Sequence, residues 1–161
     1  MTTIFIGIGE LGATCLGSGV LRTYALSSCV AVIMLAPRKR AAGLLHVALP
    51  TSDIDRNLAM DKLGYFADTG VPALLRRMRE CGCRKDDLVV KIAAGGAVSI
   101  ESGLRSNIGG RNLEAVREEL KKYGMGAAAQ DVGGDIVRTV SVFVETGAVI
   151  ISSHGKALGE L

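Results

Sequence analysis

The chain has 161 residues, 48% of them hydrophobic and 22% charged, which suits one globular domain with a substantial core and is too little for two. Its net charge is only +3, and 4% of its residues are aromatic, with no Trp. The basic residues therefore have no aromatic platform among them, which disfavours nucleic-acid binding. The N-terminus carries no charged leader, and no apolar run approaches the roughly 18 residues that span a bilayer. We expect one cytoplasmic domain over residues 1–161, without membrane insertion.

The first half of the chain predicts mainly β-structure. Residues 4–8 and 19–26 have the composition of strands, and residues 29–35 and 40–49 are apolar runs separated by a turn at 36–39. The two apolar runs therefore predict a β-hairpin with a four-residue loop.

The second half alternates helices and strands. Amphipathic helices are predicted over residues 65–81 and 110–123, with Asp68 as a candidate cap for the first and Gly124 ending the second. The inward-facing positions of these helices are Leu74, Leu75, Met78, Leu113, Val116 and Leu120. Further strands are predicted at residues 87–94, 126–132, 135–144 and 148–153. The fold class is therefore α/β of the α+β type, with mainly antiparallel sheet layers and two amphipathic helices.

Two short motifs point to ligands that their context does not support. Residues 7–12 match G-x-G-x-x-G, but a poor helix sequence follows and no acidic residue occurs between Glu10 and Asp53 to hold a ribose. A glycine-rich turn is the better interpretation. Cys81 and Cys83 form a C-x-C pair without a second pair or a nearby His, so we expect free thiols, no metal and no cofactor. Glycine pairs at 95–96 and 133–134 predict turns that border a site.

The candidate catalytic residues, Cys29 and His46, both lie on the predicted hairpin. With a loop at 36–39, Cys29 lies directly opposite His46, and such pairs have Cβ atoms about 4.5 to 5.5 Å apart. A thiol needs a nearby base to act as a nucleophile at neutral pH, and this pair supplies one. The alternative is that Cys29 is a small buried hydrophobe and His46 a buried strand histidine.

A hydroxyl is the candidate partner for the imidazole. No carboxylate lies in the neighbouring segment, so Thr23, on the preceding strand, can accept a hydrogen bond from His46. As an alternative, Thr23 is an ordinary β-branched strand residue. The other histidine, His154, lies in a short polar tail and is expected to be solvated.

Several ordered motifs together resemble a known family. They are Gly7-Ile8-Gly9-Glu10, Ser28-Cys29-Val30-Ala31-Val32, Gly43 with His46 and Leu49-Pro50, Tyr65 through Asp68-Thr69, Lys91-Ile92 with Gly95-Gly96-Ala97, Asn107-Ile108-Gly109 with Arg111-Asn112, Asp131 with Gly133-Gly134, and Thr146-Gly147. On these motifs, nearly the whole chain resembles the CheD family of chemoreceptor glutamine deamidases.

The resemblance implies a cysteine-histidine deamidase-like fold and a protein-glutamine glutaminase activity. Cys29 would be the nucleophile, His46 the base and then the acid, and Thr23 the orienting residue. The substrates would be glutamine side chains of methyl-accepting chemotaxis receptors, converted to glutamate and ammonia. A second partner is implied, the CheC phosphatase, and a non-catalytic regulatory module for CheC is the main alternative function. A generic thiol hydrolase acting on small amides is a third.

One position departs from the family pattern. The family usually has Gly-Ser-Cys, whereas this chain has Ser27-Ser28-Cys29. A serine at 27 matters wherever the glycine serves a tight turn or a close approach of the substrate.

Overall fold

The computed structural model describes residues 1–95 and 107–161, so the predicted turn and family positions at 96–97 lie outside the described residues. In these two stretches the strands are β1 (Thr3–Phe5), β2 (Leu11–Thr14), β3 (Val20–Leu26), β4 (Val30–Ala36), β5 (Ala41–Val47), β6 (Val89–Ala94), β7 (Ala127–Asp131), β8 (Arg138–Phe143), β9 (Ala148–Ser153) and β10 (Lys156–Glu160). The α-helices are α1 (Arg56–Asp61), α2 (Ala67–Glu80) and α3 (Ile108–Lys122).

The strands form two five-stranded sheets. The first has the order β1-β3-β8-β9-β10, and the second has the order β2-β5-β4-β6-β7. The pairs β1–β3 and β6–β7 are parallel, and the other pairs are antiparallel. The expectation of a mixed α/β fold with mainly antiparallel sheets is therefore confirmed.

Two apolar cores divide the molecule into three layers. One core lies between the two sheets, and the other lies between the second sheet and helices α2 and α3. Strand β4 serves both cores because alternate residues of a strand point to opposite faces. Its residues Ala31, Ile33 and Leu35 belong to the inter-sheet core, whereas Val30 and Val32 belong to the helix-side core. This double burial explains the unbroken apolar run at the centre of the sequence.

The two long helices bury the predicted faces. Leu74, Leu75, Met78, Leu113, Val116 and Leu120 are all buried in the helix-side core. Gly124 follows α3 with φ of 68°, the left-handed conformation that favours glycine at a helix end. The predicted cap of α2 is wrong, because Phe66 is the N-cap residue. The carboxylate of Asp68 instead accepts hydrogen bonds from the backbone N–H and the hydroxyl of Ser52, at 2.9 and 2.7 Å.

The register of the β4–β5 hairpin differs from the prediction by two residues. Pro37 begins a short 3-10 turn, and Arg40 closes it in the left-handed conformation with φ of 48°. The loop is therefore 37–40 rather than 36–39, and Ala36 pairs with Ala41. As a result, Ala31 lies opposite His46, and the predicted direct pairing of Cys29 with His46 is wrong. A shift of two residues keeps every side chain on the same face.

Three short elements were not predicted. The glycine motif at 7–12 leads into strand β2 and not into a helix, which agrees with its interpretation as a turn. Helix α1 begins after Asp55, whose carboxylate accepts from the N–H of Leu58 at 3.0 Å. Strand β10 replaces the predicted polar tail, and all its residues are exposed, so no alternating pattern marks it. In the described stretches, every helix is too short or too polar to cross a membrane.

Candidate active site

His46 lies in the layer between the two sheets. It belongs to β5, and its side chain is fully buried. Its backbone N–H and carbonyl both form hydrogen bonds with the glycine-rich segment at residues 7–12. Its N–H donates to the carbonyl of Glu10 at 3.1 Å, and its carbonyl accepts from the N–H of Gly9 at 2.9 Å. The imidazole is thus fixed in position by the strand ladder and by the turn that precedes β2.

Thr23 determines which ring nitrogen of His46 carries the proton. Its hydroxyl oxygen lies 2.7 Å from Nδ1 of His46 and 2.7 Å from the carbonyl oxygen of Ile6. A carbonyl can only accept, so the single hydroxyl proton goes to Ile6, and the hydroxyl accepts from Nδ1–H. The neutral ring is therefore the Nδ1–H tautomer, which leaves a lone pair on Nε2.

Burial keeps this imidazole neutral. It lowers the pKa of His46 to about 4, although the nearby charge of Glu10 acts in the opposite direction. At neutral pH the ring is thus an uncharged base. Nε2 is buried and has no hydrogen-bond partner among residues 1–95 and 107–161. A buried lone pair without a donor is ready to accept a proton from a group that comes within reach.

Cys29 packs against the same inter-sheet layer. It precedes β4 and is half-buried. Its carbonyl accepts from the N–H of Gly95 at 3.3 Å, which continues the β4–β6 ladder by one position. Cys29 therefore shares a face with Ala31, and it is a diagonal neighbour of His46. Diagonal neighbours are typically about 7 to 8 Å apart, with their Cβ atoms somewhat closer.

The thiol is not preactivated in this arrangement. Burial raises the pKa of the Cys29 thiol, and the unpartnered Nε2 means that no hydrogen bond joins thiol and imidazole within the described part of the chain. Both groups are therefore neutral at pH 7. Such contacts are often long without substrate and shorten in the complex. The chemistry that fits is general-base attack, in which the thiol loses its proton to Nε2 as the new bond forms.

The segment around Cys29 is held by close backbone packing. A Cβ atom added at Gly95 would lie 1.9 Å from the carbonyl oxygen of Ser27, so no other residue fits there without movement. Gly95, the one described residue of the predicted turn at 95–96, therefore lies against the Cys29 segment. Asn112, fully buried on α3, donates to the carbonyls of Ser28 and Ala48 at 3.0 and 2.9 Å.

A buried arginine supports the strand end beside this segment. Arg138 of β8 donates to the carbonyls of Ala94 and Gly133 at 2.8 and 2.6 Å, and it pairs with Asp131 at 2.9 Å. The guanidinium thus satisfies the backbone at the point where β6 ends and Gly95 meets the Cys29 segment. Gly133 has φ of 76°, consistent with the predicted turn.

The remaining residues singled out from the sequence are Ser27, His154, Cys81 and Cys83. Ser27 fits its backbone without strain, and the other three lie away from the candidate site. Ser27 is exposed and does not belong to the non-glycine residues with positive φ, so its backbone accommodates a serine. His154 is exposed in the turn between β9 and β10 and does not approach the site through any described contact. Around Cys81 and Cys83, as elsewhere in the described stretches, no three His, Cys, Asp or Glu side chains are grouped to hold a metal ion.

Two residues near His46 and Cys29, Glu10 and Asn112, were named only as family motif positions and were given no role in the site from the sequence. Glu10, which acts electrostatically on His46, is 36 positions away in the chain, and no local pattern connects them. Asn112 did have a signal. It lies four and eight positions before Val116 and Leu120, so it is a polar residue on an apolar helical stripe. Such a residue is typically buried with specific partners.

Thiol hydrolases use this set of groups, in which a cysteine attacks, an imidazole moves the proton, and a third side chain fixes the tautomer of the imidazole. Comparison with known proteins leads to a particular family. A family model described as CheD chemotactic sensory transduction matches residues 48–153. That match begins after His46, but whole-chain relatives cover the rest.

One relative, named "Probable chemoreceptor glutamine deamidase CheD", comes from Syntrophotalea carbinolica and is 45% identical over 97% of both chains. Another, named "Chemoreceptor glutamine deamidase CheD", comes from Thermotoga maritima and is 39% identical over 93% of this chain and 91% of its own. A third, from Anaeromyxobacter dehalogenans and named "Probable chemoreceptor glutamine deamidase CheD 2", is 40% identical over 95% and 96%. The chain belongs to the CheD family.

Proposed function

We propose that this protein hydrolyses the side-chain amides of selected glutamines on chemoreceptors, giving glutamate and ammonia, with Cys29 as nucleophile. The observation that carries the proposal is the state of His46. Its Nδ1–H is held by Thr23, and its Nε2 lone pair is buried, unpartnered within the described residues, and on the same face of the sheet as Cys29. The names of the relatives supply the substrate class.

The first half-reaction forms a thioester. Nε2 of His46 takes the thiol proton as Sγ of Cys29 bonds to the carboxamide carbon, and the carbonyl oxygen becomes an oxyanion. The imidazolium then gives this proton to the amide nitrogen, the C–N bond breaks, and ammonia leaves. Because burial disfavours the charged ring, the imidazolium is a strong acid at this point and protonates the leaving group readily.

The second half-reaction restores the thiol. His46 takes a proton from a water molecule, whose oxygen bonds to the thioester carbon. The C–S bond then breaks, and the sulfur receives the proton from the imidazolium. The net reaction consumes one water and one glutamine side chain and yields one glutamate and one ammonia. Thr23 keeps Nε2 directed at the reacting atoms through both steps.

The test is deamidation of a purified receptor cytoplasmic domain, followed by peptide mass spectrometry. The unmodified protein is expected to convert specific glutamines to glutamate, and Cys29→Ala and His46→Ala to abolish the conversion. Cys15→Ala is the matched control, because Cys15 is an exposed thiol outside the site. Conversion that persists in Cys29→Ala would exclude the thiol mechanism.

The resemblance of the motifs also supports a CheC-type phosphatase as a binding partner. We expect this binding to survive Cys29→Ala, because the substitution removes one sulfur atom and leaves the fold intact. A pull-down with purified CheC distinguishes the two proposals. CheC binding without deamidation by the unmodified protein would favour the regulatory module over the enzyme.

A further inference from the structure

Asn112 bridges the two backbone segments that carry the candidate nucleophile and base. Its Nδ2 donates to the carbonyl of Ser28, directly before Cys29, and to the carbonyl of Ala48, two residues after His46. The orientation of the amide is fixed by chemistry, because both partners are carbonyl oxygens and only the NH2 group can donate. Asn112 is fully buried, and its bond to Ala48 is buried whereas its bond to Ser28 is partly buried.

The bridge lies where the backbone ladder stops. The last backbone pair between β4 and β5 is Val30 with Val47. Beyond it the chain turns away, since the N–H of Ala48 donates to the carbonyl of Tyr65 at 3.0 Å. Cys29 is therefore held to β6 through Gly95, and beyond the Val30–Val47 pair the side chain of Asn112 joins its segment to the segment that follows His46.

We infer that Asn112 is a positioning residue that sets the separation of the Cys29 thiol from Nε2 of His46, an inference that rests on the function proposed above. Without the bridge, the Ser28–Cys29 segment and the Ala48 segment lose their direct connection beyond the Val30–Val47 pair and can shift relative to each other. Cys29 and His46 are diagonal neighbours, so their side chains are already farther apart than those of a directly opposed pair. A further increase in this distance would therefore separate the thiol from Nε2. A displacement of about 1 Å between reacting groups can reduce the rate about 100-fold.

The test uses Asn112→Ser, which cannot reach both carbonyls, with Val116→Ala as control. Val116 lies one turn further along α3 and is fully buried in the helix-side core, so Val116→Ala loosens the same helix without touching the bridge. Two readouts are followed: kcat and KM for receptor deamidation, and the rate at which iodoacetamide modifies Cys29 across pH, read by peptide mass spectrometry.

For Asn112→Ser we expect kcat to fall about 100-fold with little change in KM, because the fully buried side chain acts on the spacing of the reacting groups. Modification of Cys29 at pH 7 should slow about tenfold, because the displaced thiol no longer loses its proton to Nε2 of His46 as it attacks the reagent. Its rate should then follow the thiolate fraction alone as pH rises. Val116→Ala should leave both readouts within about twofold of the unmodified protein.

Two results would overturn the inference. One is an Asn112→Ser protein with unchanged kcat and an unchanged pH profile of Cys29 modification. The other is an equal loss in Val116→Ala, which would show a general effect of stability. If the unmodified protein lacks deamidase activity but Asn112→Ser still slows Cys29 modification, the proposed function fails and the positioning role stands.

If Asn112→Ser does not fold, the unmodified protein answers the question by NMR. Alkylation of Cys29 with N-ethylmaleimide should then shift the side-chain amide resonances of Asn112, because the bridge is directly linked to the Cys29 segment. Unchanged resonances would contradict the inference.

Discussion

The hydrogen bond between Thr23 and His46 joins the two sheets of the molecule at the candidate site. Thr23 belongs to β3 of the first sheet and His46 to β5 of the second, and their atoms Oγ1 and Nδ1 are 2.7 Å apart. The hydroxyl donates its own hydrogen bond to the carbonyl of Ile6 and accepts from Nδ1–H, so the contact fixes the tautomer as well as the orientation of the ring. The packing of one sheet on the other therefore orients His46, the candidate base.

Removal of the hydroxyl of Thr23 should impair the reaction more than the fold. Thr23→Val keeps the shape of the side chain but loses the acceptor for Nδ1–H, so we expect kcat for receptor deamidation to fall about 100-fold. Thr23→Ser should retain most of the activity. Thr14→Val is the control, since Thr14 is also a buried strand threonine but its hydroxyl accepts from Leu16. Equal kcat in Thr23→Val and the unmodified protein would contradict a role for the hydroxyl.

Burial of His46 should make stability depend on pH. Its pKa is about 4 in the folded protein and 6.5 in an unfolded chain. Between these values the unfolded state binds more protons, so the free energy of unfolding falls as pH falls from 6.5 to 4. The free energy of unfolding is measured with urea at pH 7 and at pH 4. Its loss between these pH values should be about 3 kcal/mol larger in the unmodified protein than in His46→Gln, which cannot titrate. Equal losses in the two proteins would show that His46 is not held neutral.

The contact of Gly95 with the Cys29 segment should tolerate no side chain. A Cβ at this position meets the carbonyl oxygen of Ser27 at 1.9 Å, so Gly95→Ala must displace the backbone before Cys29. We expect a loss of about 3 kcal/mol in the free energy of unfolding, measured in urea, and loss of deamidation. Gly126→Ala is the matched control, because nothing lies within 4 Å of a Cβ there. Similar behaviour of the two variants would be inconsistent with the packing described.

Among the other thiols, Cys15 should be modified by iodoacetamide first. It is exposed, whereas Cys83 is buried, and burial with the hydrogen bond to Cys15 raises the pKa of Cys81 to about 12. At pH 8, modification of Cys81 should be about 30-fold slower in the folded protein than in the urea-unfolded chain. The raised pKa lowers the thiolate fraction, and the higher nucleophilicity of the remaining thiolate offsets only part of this loss. Peptide mass spectrometry after timed quenching measures each site. Equal rates for Cys81 in the two states would show that this thiol is not protected.

The periodic spacing of apolar residues predicted those helices and strands that bury one regular face of the element. The helical stripes, the hairpin and the apolar run of β4 could all be found because period and burial coincide in them. The face shared by Cys29, Ala31 and His46 was also predictable, since it depends only on parity along the strands. Strand β10 was not, because an exposed edge strand carries no alternation.

The register of the β4–β5 hairpin and the long-range contacts could not be predicted from the sequence and became known only from the structure. The position of the hairpin loop depends on the left-handed conformation of Arg40, which is uncommon for a non-glycine residue and has no sequence signal of its own. The contacts of Asn112 with Ser28 and Ala48 span 84 and 64 positions. Sequence reasoning therefore named the candidate residues of the site and placed Cys29 directly opposite His46, whereas the two are diagonal neighbours.

The most direct test of the central claim is detection of a covalent intermediate on Cys29. The protein is mixed with a receptor peptide that contains the target glutamine, quenched in acid during turnover, digested and analysed by mass spectrometry. The account predicts a thioester between Sγ of Cys29 and the glutamine acyl carbon, with ammonia already lost, and no such species in Cys29→Ala. Full deamidation by Cys29→Ala, with no adduct on Cys29 in the unmodified protein, would contradict it.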